Sequence, residues 1–423
     1  MSTPDAPRAR VPAARRGDWF PWLLACLVIV RLPFAWSMQV HDDERHYAYD
    51  GLWVKADLPA AQVFRALVWE HVRPHSFYDP GRNEIRQHGT STIGYPTAGD
   101  RLGTVPRAGH PPLFALLVGA VMACVPTPWL LAGDRAVHVA RTVVVALDAA
   151  GAIALYVLLR AAFGRALARV VAAVYTLLPY ASLFGLLAYL DAPATAFVVA
   201  SVAFYAAAVR ARPSPGRFAV LGALVGLSWL VKETSLVGLP LLACFAAILP
   251  CALSARRMVA SALLSLGVAS AVFTCCCDPI AFVAEIRDPS TPLLGSVVGL
   301  DRVGENLRTL AHPEEHRYVH TGRLRQGANS ALDSRFLAAY DVTTPSVFAL
   351  FLASIVWLGF RRNFRLAALG ALLLVFLAVT PIHGIVRRFH VVIPFAGFVI
   401  AAAVAQLRVS GPIERRWRIA LPS

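Results

Sequence analysis

What most limits how this chain can fold is its succession of apolar runs. They cover residues 19–38, 136–159, 167–188, 192–209, 218–231, 234–250, 258–277, 345–360, 366–381 and 391–407. A bilayer core takes about 20 residues of helix to cross. Inside it every backbone N–H and C=O must be bonded within the protein, so apolar runs of this kind cross as helices. Only 15% of the residues are charged, against about 25% in soluble domains. The expectation is an all-α polytopic membrane protein with about ten transmembrane helices. Since the runs continue almost to the end, residues 19–408 read as one membrane domain. A cytoplasmic Arg-rich tail, 1–18, precedes it and a second tail, 409–423, follows. The first run is too long for a signal-peptide core and has no convincing A-x-A site, so it reads as an uncleaved helix.

The net charge of +15 would suit a nucleic-acid partner, but the distribution of Arg excludes that reading. Arg160/Arg165/Arg169, Arg210/Arg212/Arg217, Arg256/Arg257, Arg361/Arg362/Arg365 and Arg408/Arg415/Arg416/Arg418 fall at every second junction between runs. Arg so placed is a topology signal beside lipid headgroups. The segment 111–125 decides the parity. If it does not cross, all five clusters lie in the cytoplasm with the N-terminal tail. It is therefore expected to be a short juxtamembrane or re-entrant helix. Residues 39–135 and 278–344 are then external loops, and Leu58–Val68 is an amphipathic stretch suited to lying on the membrane. The seven cysteines lie mostly in apolar runs and read as packing residues, without a disulfide framework or zinc site.

This parity, assigned from Arg alone, gathers the polar residues with chemistry on the external face. Asp42-Asp43-Glu44 directly follows the first run, with Arg45, His46, Tyr47 and Tyr49 beside it. Three adjacent acids repel one another, which favours a raised pKa or a cationic partner for at least one. Such a group can take a proton from an acceptor or ligate a cation. A solvated loop charge run is the plainer alternative. His110 precedes Pro111-Pro112 at a predicted helix start, where it suits a phosphate or is simply an interfacial His. Asp191 lies between two runs, as a helix N-cap, a site acid or both. Lys232-Glu233 is an interface ion pair, or Lys232 binds a phosphate or carboxylate. Arg387-Arg388-Phe389-His390 is a basic cluster on the external side, where the positive-inside bias makes it costly unless it binds an anion or headgroups. Arg31, late in the first run, either snorkels or touches a lipid phosphate. Arg141 and Asp148 lie within one predicted span and are candidates for an intramembrane pair.

Taken in order, these residues resemble the GT-C superfamily of membrane glycosyltransferases. Its members include dolichyl-phosphate-mannose–protein mannosyltransferases and lipid A aminoarabinose transferases. The resemblance rests on Asp43-Glu44 with Tyr47 and on His110-Pro111-Pro112-Leu113, Phe163-Gly164-Arg165 and Asp191, with G-L-S-W-L-V-K-E at 226–233 and R-R-F-H-V-V-I-P at 387–394. It implies a GT-C-like bundle with juxtamembrane helices in the first external loop. It also implies a polyprenyl-phosphate sugar donor and inverting transfer to a glycan, lipid or protein acceptor. By the same resemblance Asp43, with Glu44 beside it, is the general base. His110, Lys232, Arg387, Arg388 and His390 lie near the donor phosphate. Asp42 and Asp191 orient the acceptor or help a divalent cation. Arg31, Tyr47 and Glu233 are further candidates. The extra acid Asp42 leaves the choice of base open by one residue. The expected setting is a bacterial inner or plasma membrane, with the site on its external, periplasmic face. Two other functions stay open: a flippase or transporter for a lipid-linked sugar, and a non-catalytic membrane scaffold. Mid-span charges and repeated halves would favour the transporter; here polar residues gather mostly at one face and no internal repeat is visible.

Overall fold

The computed structural model describes residues 18–38, 40, 44, 47, 48, 51, 52, 55, 76–79, 84–87, 92–94, 113–130, 132–179, 181, 185–276, 331–379 and 382–409. For 76–79, 84–87, 92–94, 127, 233, 234, 276, 331–342, 379, 382–389, 408 and 409 it describes the backbone alone. Six helical segments are long and apolar enough to cross a membrane: Phe20–Ser37, Arg135–Phe163, Asp191–Val209, Ala255–Cys275, Thr343–Phe360 and His390–Leu407. Leu113–Ala123, Pro215–Val231, Ser235–Ile248 and Phe364–Ala378 are shorter apolar helices.

The first segment is two helices, α1 (Phe20–Ile29) and α2 (Leu32–Ser37), with Arg31 at the break. Pro33 lacks the N–H that would bond Ile29, so it sits where a new helix starts. Next comes a small antiparallel sheet between α2 and the helix that starts at Leu113: β1 (Ser76–Asp79), β2 (Glu84–Gln87) and β3 (Thr92–Gly94). Its register pairs Ser76 with Gln87, Asp79 with Glu84, and Glu84 with Gly94. Leu58–Val68 lies outside the described residues.

Helices α3 (Leu113–Ala123) and α4 (Thr127–Leu130) precede the long α5 (Arg135–Phe163). Gly164, at φ 82°, turns the chain into α6 (Arg165–Leu177), a conformation that favours glycine. The predicted run 167–188 is not one helix. It ends at Leu177, and Leu178 takes extended backbone (φ −61°, ψ 127°), as the residue before Pro179 should. Residues 185–190 are buried without being helical. Then follow α7 (Asp191–Phe204), continued by a π-turn to Val209, α8 (Pro215–Val231), a 3₁₀ turn (Glu233–Val237), α9 (Gly238–Ile248) and α10 (Ala255–Cys276). The last three helices are α11 (Ala331–Phe360), α12 (Phe364–Val379) and α13 (Ile382–Val409).

The centre of the bundle is α7, α13 and α5, whose spans are 72%, 67% and 56% buried, whereas α10 is only 6% buried and lies at the rim. Gly222 and Gly226 of α8 meet the α10 backbone; a Cβ on Gly226 would lie 2.7 Å from the Ala269 carbonyl oxygen. Small residues allow this close approach where no hydrophobic force drives helices together in lipid. One end of the bundle is basic. There Asp18 bonds Tyr156, Arg160 and Arg169, Arg217 donates to Ala208 O, and Arg365 donates to Ala247 O. The buried acids Glu44 and Asp191 lie toward the opposite end.

Candidate active site

The acidic end is organised by Arg141, one of the largest fully buried side chains. Its Nε donates to Glu44 Oε1 at 2.7 Å and its Nη2 to Oε2 at 2.6 Å. The planar guanidinium matches a carboxylate in this two-pronged way. Nη1 donates to the carbonyls of Ala35 and of Met38, the latter at 2.8 Å. These carbonyls belong to the last turn of α2 and the residue after it, where intrahelical donors run out. Glu44 Oε1 also accepts the Ala188 N–H at 2.7 Å. One ion pair thus ties the end of the first span, the start of the first loop, α5 and the 185–190 segment together. The pairing of Arg141 with Asp148 expected from sequence is not formed. Asp148 pairs with Arg31 instead, Nη1 to Oδ2 at 3.3 Å, and Arg31 also donates to Thr176 O.

Asp191 opens α7 as its first helical residue; Leu190 holds the N-cap position, without a side-chain cap. The capping role considered for Asp191 is therefore not the one it takes. Its Oδ1 accepts from Lys232 Nζ at 2.8 Å, with both side chains buried. The positive end of α7 favours a carboxylate there. Lys232 reaches it because α8 stops at Val231 and Lys232 is extended (φ −159°, ψ 139°). Glu233 begins the 3₁₀ turn.

His390, on α13, is buried to 1% exposure. Its Nδ1 lies 3.1 Å from Thr195 Oγ1 and its Nε2 3.4 Å from Ala181 O. The charges of Asp148, Asp191 and Arg31 act on its ring. Arg387 and Arg388 are one helical turn or less before it, on the same helix. Tyr47 meets Phe114 of α3 edge-on, with ring centroids 6.2 Å apart. Asp42, Asp43 and His110 lie outside the described residues, as does 278–330.

Sequence reasoning missed the segment 185–190. Gly185 packs against Asp148, Ala188 donates to Glu44, and Asp191 follows directly. Non-helical backbone at membrane depth is tolerated where protein buries it and satisfies its polar groups. Pro179 and Gly185 were its signals, inside a run of uniform hydropathy. Among the described residues no group of three His, Cys, Asp or Glu is arranged to hold a metal. Among the described residues, the Lys232 ammonium lies against Asp191.

Residues 109–279 match the family model for dolichyl-phosphate-mannose-protein mannosyltransferases. The matched stretch runs from α3 through α10 and holds Arg141, Asp148, Asp191 and Lys232. It is the signature of a membrane glycosyltransferase family of GT-C type, to which this part of the chain is similar. No curated protein matches the chain. With its apolar helices, the match makes this an integral membrane protein.

Proposed function

We propose that the protein transfers a sugar from a polyprenyl-phosphate donor to an acceptor at the acidic end of the bundle, the external face of a bacterial plasma membrane. The observation that carries this reading is the Ala188 N–H on Glu44. It ties the first-loop acids to the segment that leads, three residues on, into Asp191 and its partner Lys232.

The chemistry follows from the residue types. Asp43, next to the anchored Glu44, accepts the proton of an acceptor hydroxyl or amine as the nucleophile attacks the anomeric carbon. The bond from that carbon to the phosphate oxygen breaks, its electrons go to the phosphate, and the configuration inverts. Growing negative charge on the polyprenyl phosphate needs fixed cations; Arg387, Arg388 and Lys232 are the candidates. Glu44 itself, bonded to Arg141 and Ala188, is suited to positioning its neighbour. A polyprenyl tail needs a groove between helices, which a helical bundle offers.

Two observations support the topology. Phe114, Val118 and Met122 of α3 cluster with residues 136–144 of α5, Ala192 and Ala194 of α7, and Val231 of α8. These are all from the acidic end, as suits a helix that does not cross. With α3 left out, the Arg-bearing junctions share one side, which the positive-inside bias makes cytoplasmic. On that count about ten segments cross.

The test uses full-length protein in proteoliposomes with labelled polyprenyl-phosphate sugars. The expected result is release of polyprenyl phosphate with sugar on an acceptor, and a loss of about 10²-fold or more in Asp43→Asn. Full activity in Asp43→Asn overturns the choice of base. Movement of intact donor across the bilayer without polyprenyl phosphate release supports a flippase instead. Neither transfer nor movement by the wild type supports a scaffold.

A further inference from the structure

The buried segment 185–190 touches two acids and leads directly into a third. Asp148 of α5 lies under Gly185, Glu44 of the first loop accepts from Ala188, and Asp191 begins where the segment ends. The two contacts fall at 185 and 188, and Asp191 follows three residues further on. The segment is thus a strap, gripped at its start by a group deep in the bundle and at its middle by the first-loop acid.

The grip at Gly185 is steric. A Cβ built there would lie 2.5 Å from Asp148 Oδ2 and 2.8 Å from its Cγ. The carboxylate therefore occupies the space that any other residue's side chain would need. Arg31 fixes that carboxylate, Nη1 to Oδ2 at 3.3 Å, and is itself bonded to Thr176 O at the end of α6. The Gly185 N–H donates to Ala181 O at 3.1 Å, the same carbonyl that faces His390 Nε2. The start of the strap is set by Asp148, Arg31 and His390, none of which touches Ala188. Ala188 is only three residues further on, so a shift of Gly185 moves the N–H that Glu44 accepts.

We propose that Asp148 is a positioning residue: by holding the strap at Gly185 it keeps the Ala188 N–H on Glu44, and so sets the place of the first-loop acids. This rests on the transfer reaction proposed above. Asp148 need not touch either substrate. Its effect runs through the backbone of the strap.

The test is a double-mutant cycle on Gly185→Ala and Asp148→Ala in full-length protein, read by transfer kinetics and by hydrogen exchange of the 185–190 peptide. Gly185→Ala pushes a methyl into the carboxylate. The expected result is a fall of about tenfold in kcat, with the donor KM changed less than about twofold. Exchange at 185–190 is expected to rise. Asp148→Ala takes the grip away, so on its own it should lower kcat about fivefold and raise exchange at 185–190, and wild-type kcat and exchange in that variant overturn the inference. In the double variant the methyl has no carboxylate to meet, so its loss should fall well short of the product of the two single losses. Should Asp148→Ala fail to fold because Arg31 loses its partner, Arg31→Leu/Asp148→Ala takes its place in the cycle. Additive effects, or a Gly185→Ala variant with wild-type kcat and exchange, overturn the inference. Absence of transfer by the wild-type protein overturns the functional reading alone; the exchange cycle then still decides whether Asp148 holds the strap.

Discussion

Breaking the Glu44–Arg141 pair should cost more than any other single change at the acidic end. Both side chains are fully buried, and their two hydrogen bonds are 2.6 and 2.7 Å long. Removing one partner of a buried pair leaves the other charge uncompensated, at about 3–5 kcal/mol. Glu44→Gln keeps an oxygen for Arg141 Nε and Ala188 N–H but loses the charge, so it belongs near the lower figure. Arg141→Met takes away four hydrogen bonds, two to Glu44 and one each to the Ala35 and Met38 carbonyls, and belongs near the upper. A loss of about 3 kcal/mol is over a hundredfold in the folded fraction. The double variant Glu44→Leu/Arg141→Met removes both charges of the pair, so its cost should fall short of the sum of Glu44→Leu and Arg141→Met by at least about 2 kcal/mol. The assay is reversible unfolding in mixed micelles, for all variants under one condition. Single costs below about 1 kcal/mol, or an additive double, would refute the clamp, since a pair open to water is worth about that little.

Three further outcomes follow. Asp191→Asn and Lys232→Met should each lower transfer by about 10²-fold, and Asp191→Asn should also destabilise the fold because it strands a buried ammonium; wild-type turnover in both variants, measured in proteoliposomes, removes the pair from the site. At the basic end, the hydrogen bond from the Tyr156 hydroxyl, with Arg169 and Arg160 helping and burial opposing, holds Asp18 at a pKa of about 2, below its usual 3.8. Because the folded-state pKa is the lower one, this contribution is fully present above pH 3.8 and is lost as pH falls through about 2. A melting-temperature series over that window should show a wild-type decline that Asp18→Asn flattens. Gly226→Leu should separate α8 from α10, because even a Cβ there meets the Ala269 carbonyl oxygen at 2.7 Å; unchanged yield and melting of the folded protein would contradict that packing.

The sequence carried the class of the protein and the places where charge interrupts apolar runs, but not the partners of those charges. Asp191 and Lys232 were both visible as polar breaks. Their bond spans 41 positions, and nothing local predicts it. Arg141 and Asp148 looked like a pair because they share a run. Seven residues apart on a straight helix, they are separated by about 10 Å along its axis, and each reaches outward to a different neighbour. Glu44 read as a catalytic acid because it stands in an acidic cluster; its bonds to Arg141 and Ala188 became visible only with the helices assembled. The strap was hidden because hydropathy is the same for a buried helix and a buried irregular segment. Only Pro179 and Gly185 distinguished them, and either is tolerated within a membrane helix.

The charges also suggest where the donor phosphate belongs. Among the described residues three cations other than histidine are buried, Arg31, Arg141 and Lys232, and three carboxylates, Asp148, Glu44 and Asp191. They pair one to one at 3.3, 2.6 and 2.8 Å. Within these three pairs the charge is balanced before any substrate arrives, and a phosphate placed beside them calls for further positive charge. Arg387 and Arg388 offer two on α13, within one turn of His390. On this reasoning Arg388→Ala should act chiefly on the donor, raising its KM by about tenfold or more, whereas Glu44→Gln should act chiefly on kcat and stability. Steady-state kinetics over a range of donor concentrations separates the two. If Arg388→Ala leaves the donor KM unchanged while Lys232→Met raises it, the phosphate draws Lys232 away from Asp191. That acid would then lose its cation in the loaded state and become a second candidate for the base.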